Sequence, residues 1–227
     1  MNVKLIAKTT PNVEMLYNDI VSIEDLIVYA ARVSNPTNQL NMETKDKLLR
    51  YCWRHKHWSI FETASITMEI ETSRAIAAQI LRHRSFTFQE FSQRYAKSTE
   101  FEPIELRRQD TKNRQNSTND LDQVTKFVSE RDIEEHLRHA THLYNKLLKK
   151  GVAKECARMI LPLTTQTRLY MTGNLRSWLT YCMTRCEAST QKEHRDIAIK
   201  CWEIIKELCP SIAMFVEEEH SYLRKAA

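Results

Sequence analysis

The chain has 227 residues, 42% of them hydrophobic and 28% charged, and a net charge of +5. This composition excludes a disordered chain, and no apolar run comes near the ~20 residues that a membrane-spanning helix needs. With only two glycines, Gly151 and Gly173, the glycine-rich phosphate loops are excluded as well, so any nucleotide must be held by side chains and helix ends.

Residues 3 to 8 alternate as a short strand. Ser22-Ile23-Glu24-Asp25 reads as a capping box opening a helix to about Val33, which Ser34-Asn35-Pro36 ends. A second helix is predicted from about Thr44 to His55, with Leu48, Leu49, Cys52 and Trp53 on one face. Residues 63 to 71 alternate, with Ala64, Ile66, Met68 and Ile70 turned inward as in a half-buried strand. Thr72-Ser73 starts a helix to about Arg82 whose core face is Ile76, Ala77, Ile80 and Leu81. Residues 84 to 95 read as a loop leading into a strand. Residues 103 to 123, polar and almost without apolar anchors, read as a mobile loop with some helix. A long helix from about Leu121 to Lys149 is stopped by Gly151. Ala153 to Met159 is a short helix ended before Pro162. Thr164 to Thr172 alternates as a strand, and Asn174 caps a helix to about Cys186. Helices from about Thr190 to Leu208 and at the end of the chain complete the reading. The strands are not in βαβ alternation, so the expected class is α+β, helices packed on a small, mainly antiparallel sheet. One domain over 1–227 is expected, since no second hydrophobic core is visible. The first ten residues lack signal-peptide anatomy, and six cysteines without a CxxC pair suit free thiols. A soluble, cytoplasmic protein is therefore expected.

The positive balance favours anionic partners. Arg82-His83-Arg84 falls where a helix ends, and Arg94 follows ten residues after Arg84, preceded by Glu90 and Ser92. A strand through Glu90, Ser92 and Arg94 would put a carboxylate, a hydroxyl and a guanidinium on one face, a surface for a polar anion. The plainer reading is a solvated basic turn; the interleaved Phe86, Phe88 and Phe91 argue against full exposure. Arg158, Asn174, Arg176 and Arg185 form a second group. Asn174 would add helix-terminal N–H groups to an anion site. Arg176 sits in the first turn of the same helix, where its charge opposes the dipole and hints at a ligand that offsets it; surface salt bridges are the alternative. His55 and His57 are weak metal candidates without a third ligand. His136, His139 and His142 drift around their helix, and Cys182 and Cys186 read as packing. No metal is expected.

Arg82-His83-Arg84, seven residues, then Ser92 is similar to the RHR-x7-S signature of the flavin-dependent thymidylate synthases. The resemblance continues in order through Ala31-Arg32-Val33-Ser34, His55 to Glu62, Gln79, Ser92-Gln93-Arg94-Tyr95, Ala157 to Leu163 and Asn174-Leu175-Arg176-Ser177, and covers nearly the whole chain. It implies a homotetramer with FAD and active sites where subunits meet. It implies reductive methylation of dUMP to dTMP, with the carbon from methylenetetrahydrofolate, the hydride from flavin reduced by NADPH, and tetrahydrofolate released. By position, His83, Arg84, Ser34, Ser59, Glu62, Asn174 and Arg176 would surround FAD. Arg82 would bridge flavin and nucleotide, and His57 would lie near the flavin ring and folate. Gln79, Glu90, Ser92, Gln93, Arg94 and Arg158 would hold dUMP, with Glu90 also on the cofactor side. Arg185 would contact the uracil and stabilise charge developing on the ring. Thr180 stands where a family member carries an asparagine on FAD; its hydroxyl can still donate or accept once. Ser92 is read as a ligand and not a nucleophile, because only Glu90 is near enough in sequence to activate it. Neither membrane nor nucleic acid is expected as a partner, since no nucleic-acid-binding motif is present. Another flavoprotein oxidoreductase and a nucleic-acid-binding module are the alternatives.

Overall fold

The computed structural model describes Met1–Ala226. The chain divides into two compact units, neither of them one continuous stretch. The first comprises Met1, Glu71–Arg82 and Gln89–Leu169; the second comprises Asn2–Ile70, His83–Phe88 and the chain from Tyr170. The strands are β1 (Asn2–Lys8), β2 (Ser65–Ser73), β3 (Thr87–Glu90), β4 (Arg108–Gln109), β5 (Ser117–Thr118) and β6 (Gln166–Asn174). They form a four-stranded sheet in the order β1-β2-β6-β3 and a two-stranded ribbon of β4 and β5. β2 and β6 run antiparallel: Thr67 meets Thr172 through their hydroxyls at 2.9 Å, and the Leu175 N–H reaches Ala64 O at 2.9 Å. Together with the helices given below, this is the expected α+β class.

In the second unit, α1 (Val13–Leu16) buries no residue, while α2 (Ile23–Ala31), α3 (Lys45–Arg54), α7 (Leu175–Arg185), α8 (Lys192–Leu208) and α9 (Pro210–Glu219) build the larger core. The capping box of α2 is present: Ser22 Oγ accepts from the Asp25 N–H, and Asp25 accepts from the Ser22 N–H. Alternation in β2 buries Ile66, Met68, Ile70 and Thr72. Each of three indole N–H groups finds an acceptor: Trp178 on Ile66 O, Trp202 on Glu217 and Trp53 on Glu219. Gly173 lies in β6 because the Phe86 ring fills the space a Cβ would need, 2.5 Å away. Cys182 and Cys186 are buried and unbridged, as packing requires.

The first unit contains α4 (Arg74–Ile80), α5 (Gln123–Lys149) and α6 (Lys154–Ala157). Ser73 caps α4, its Oγ accepting from the Ile76 N–H. α4 stops at Ile80, and Leu81, expected in the core, is 38% exposed. α5 ends with Gly151 at φ +82°, and the N–H groups of Gly151 and Val152 reach back to Leu148 O and Leu147 O. α3 ends in the same pattern with Lys56 at φ +59°, a position where glycine is the usual residue. Lys56 and His57 donate to Trp53 O and Cys52 O, which sets the direction in which the chain leaves toward His57.

Two expectations change here. Residues 103–123 do not form a partly helical loop: they carry the β4–β5 ribbon, with Arg108 opposite Thr118 and Gln109 opposite Ser117. Asp110 holds its turn by accepting from the Lys112 and Asn113 N–H groups and from Asn116 Nδ2. The strand expected through Arg94 ends at Glu90. After Phe91, whose N–H still reaches Arg168 O, Ser92 Oγ accepts from the Arg94 N–H and curls the chain into a turn. Among the described residues no helix is long and apolar enough to cross a membrane.

Candidate functional site

The residues singled out in the sequence divide between the units. Gln79, Arg82, Glu90, Ser92, Gln93, Arg94 and Arg158 belong to the first; Ser34, His57, Ser59, Glu62, His83, Arg84, Asn174, Arg176, Thr180 and Arg185 belong to the second.

In the first unit Glu90, the last residue of β3, is held by two neighbours. Arg74 Nη1 donates to its Oε1 at 3.2 Å and Thr167 Oγ1 donates to the same oxygen at 2.8 Å. Ser92 Oγ accepts from the Arg94 N–H, and among the described residues no carboxylate or imidazole receives its proton. That arrangement suits a ligand and not a nucleophile. Gln93 is buried with its Nε2 lacking an acceptor. Arg94 makes an ion pair with Glu155 at 3.4 Å, and Lys154 Nζ donates to Tyr95 O at 2.9 Å, so α6 braces the turn. The turn following α6 then carries Arg158. Arg82 and Arg158 make no ion pair among the described residues, and cations left without partners are available to an anionic ligand.

In the second unit Arg185, at the end of α7, donates from Nε to His83 Nε2 at 3.0 Å. A guanidinium only donates, so Nε2 carries the lone pair and the His83 proton sits on Nδ1. Burial, then the nearby Arg185 charge, push His83 down to about 4, so the imidazole is neutral at neutral pH. Tyr181 and His194 pack around that ring at 5.0 and 6.2 Å between centroids. Asn174 caps α7, its Oδ1 accepting from the Ser177 N–H at 2.8 Å; only its Nδ2 remains to donate elsewhere. The charge of Arg176 against the helix dipole has a partner within the chain: Glu62 accepts from Nη1, and the guanidinium lies 5.6 Å from the centre of the Trp58 ring. The unfavourable placement therefore does not by itself require a ligand. Thr180 donates its hydroxyl to Arg176 O, which leaves that oxygen as an acceptor only. Ser34, Ser59, His57 and Arg84 are exposed, and Arg84 makes no ion pair among the described residues.

Arg74, Thr167, Lys154, Glu155, Tyr181 and His194 were not among the candidates. Arg74 was within reach of the argument applied to Arg176, since it too is an arginine in the first turn of a helix. The others are brought in by contacts between residues far apart in the chain.

A model of the family described as thymidylate synthase complementing protein matches residues 16–211. The chain is 54% identical over 216 residues to a probable flavin-dependent thymidylate synthase of Paramecium bursaria Chlorella virus 1, covering 94% of this chain and 97% of that one. It is 51% identical over 217 residues to the flavin-dependent thymidylate synthase of Synechocystis sp., covering 96% and 100%. The solved structure of a UMP/dUMP methylase from Streptomyces cacaoi, bound with 5-Br dUMP, shares the fold with a TM-score of 0.81 over 97% of this chain and 96% of that one, at 24% identity. The chain belongs to the thymidylate synthase complementing protein family.

Proposed function

We propose that the protein is a flavin-dependent thymidylate synthase that methylates dUMP to dTMP, with methylenetetrahydrofolate as carbon donor and NADPH as reductant. The observation that carries the reading is the state of the arginines in the matched signature. Among the described residues Arg82, Arg84 and Arg158 are left without ion pairs, and Arg185 is set against a neutral His83. Gln79, Arg82, Glu90, Ser92, Gln93, Arg94 and Arg158 are assigned to dUMP, the arginines to its phosphate. Ser34, His57, Ser59, Glu62, His83, Arg84, Asn174, Arg176 and Thr180 are assigned to FAD, and so are Arg82 and Glu90. Bound FAD supplies the hydride. The residues fit a flavin: the cap of α7 leaves an amide donor, Arg84 is a cation without an ion pair among the described residues, and Thr180 offers an acceptor. Arg185, a fixed cation, stabilises negative charge on the uracil ring during transfer of the carbon.

The whole chain is proposed to act as one functional domain within a homotetramer. Supporting the assembly, the 27-residue helix α5 buries only Ala140 and Tyr144 and leaves Val124 and Phe127 exposed at 74% and 70%. Such a face suits another subunit.

The purified protein should be yellow, and dTMP should form only with dUMP, methylenetetrahydrofolate and reduced flavin together. Release of tritium from C5-labelled dUMP separates this activity from that of another flavoprotein oxidoreductase. A colourless protein that binds no FAD would overturn the proposal.

The Arg94–Glu155 pair gives a prediction with an unusual sign. Both side chains are more than half exposed, so the pair is weak, and the dUMP phosphate must draw Arg94 away from Glu155. Glu155→Gln should lower the KM for dUMP about two- to fivefold with kcat unchanged. A raised KM would show that Glu155 positions Arg94 and does not compete for it.

A further inference from the structure

We propose that Tyr181 and His194, two buried residues assigned to neither FAD nor dUMP, position the Arg185 guanidinium for the reaction by clamping the His83 ring against it. The proposal rests on the thymidylate synthase reading, in which Arg185 faces the uracil. Tyr181 stands four residues before Arg185 on α7, one turn away on the same face. Its ring meets the His83 ring edge-on, 5.0 Å between centroids at 80°, while Arg185 Nε donates to His83 Nε2 at 3.0 Å. His194 comes from α8, which carries none of the residues assigned to FAD or dUMP. Its ring lies 6.2 Å from that of His83 at 84°, and its Nε2 is 3.2 Å from the Tyr181 hydroxyl. Tyr181 is 1% exposed and His194 not at all.

Packing alone does not explain this pair. An apolar side chain would fill the place of His194 at a lower cost than an imidazole taken out of water. What the imidazole adds is a bond to the one polar atom of the Tyr181 side chain. That bond fixes the tyrosine ring at its far end, and buried polar contacts of this kind hold side chains in a single arrangement. Phe86 closes another side of His83, at 6.4 Å and 88°. With the imidazole held between these rings, its Nε2 stays turned to Arg185. The clamp needs a neutral His83, since a protonated imidazole cannot accept from a guanidinium. Burial disfavours the charged form of both histidines, the Arg185 guanidinium adds to it, and the His83 ring bears on His194 as well. His194 also sits in the first turn of α8, where the helix dipole opposes a positive charge. Burial, and then the thiols of Cys201, Cys182 and Cys186, push the Tyr181 hydroxyl up, so it stays an O–H.

The test compares the wild-type holoenzyme with Tyr181→Phe, which keeps the ring and removes the hydroxyl, and with His194→Leu and His194→Gln. Measured are kcat, flavin content, thermal melts to confirm folding, and the exchange of the Arg185 Nε–H with water, followed by NMR in arginine-labelled protein. Tyr181→Phe and His194→Leu should lower kcat about tenfold with flavin retained, and should speed the Nε–H exchange by a similar factor. His194→Gln can still bond to the Tyr181 hydroxyl and should recover most of both losses. If the folded variants exchange the Nε–H as wild type does, the pair only packs and the proposal is overturned. A loss that glutamine does not recover overturns it too, since the bond to the hydroxyl is then not what acts. Should wild type itself form no dTMP, the functional reading falls, while the Nε–H exchange still decides whether the pair holds Arg185.

Discussion

Replacing Arg185 by alanine is expected to lower kcat by about 10²–10³-fold while FAD stays bound. The expectation rests on how the side chain is held. Its Nε donates to His83 Nε2 at 3.0 Å, and the imidazole it meets is half-buried and neutral, pushed down to about 4. The guanidinium charge is thus fixed in place without being neutralised by a carboxylate. A cation held in that state can act on charge that develops only in the transition state. Arginines paired with acids, such as Arg176 with Glu62, have part of that field cancelled. Arg185→Lys keeps a charge but cannot present the same N–H to His83, so only part of the rate should return. The His83 ring gives a readout that a general loss of structure would not move. With the Arg185 charge removed, the second cause of its depressed pKa is gone, so its NMR titration should shift upward while burial keeps it below 6.5. Alanine variants with wild-type kcat would refute the role given to Arg185.

Much of the fold is written in local pattern. The alternation from Ala64 to Ile70, the boxes and caps at Ser22, Ser73 and Asn174, and Gly151 at the end of α5 each name their element because the physics acts over a few residues. The β4–β5 ribbon was hidden for the opposite reason. It is held by the Asp110 carboxylate and backbone amides, so it carries no hydrophobic period to read. The end of β3 was missed similarly, since the Ser92 turn is made by one hydroxyl. At the site, the motif and its order located the candidates, but not their protonation or pairing. That Glu90 is tied to Arg74 and Thr167, or that Arg94 faces Glu155, depends on contacts across 16 to 77 residues in the first case and on the placement of α6 in the second. His83 and Arg185 are 102 residues apart, and no spacing rule joins them.

The same neutral histidines should make the fold acid-sensitive well above the range of ordinary carboxylates. His194 is fully buried, its Nε2 3.2 Å from the Tyr181 hydroxyl, and burial, with the charge of Arg185 second, pushes it down to about 4. In the unfolded chain it returns to about 6.5. The folded pKa lies below the unfolded one, so the unfolded state takes up the proton first. The stabilisation is therefore complete above pH 6.5 and is lost progressively as the pH falls toward 4. For His194 alone the loss between pH 8 and pH 5 comes to roughly 2 kcal/mol. His83 acts in the same direction, but it is half-buried and solvent reduces its share. Denaturant unfolding at pH 8, 6.5 and 5 tests this directly. The wild-type midpoint should fall steadily, and His194→Gln, which can still bond to the Tyr181 hydroxyl but does not titrate, should flatten that fall. A variant with the wild-type slope would mean that the acid sensitivity arises elsewhere and that His194 is not held neutral by its burial.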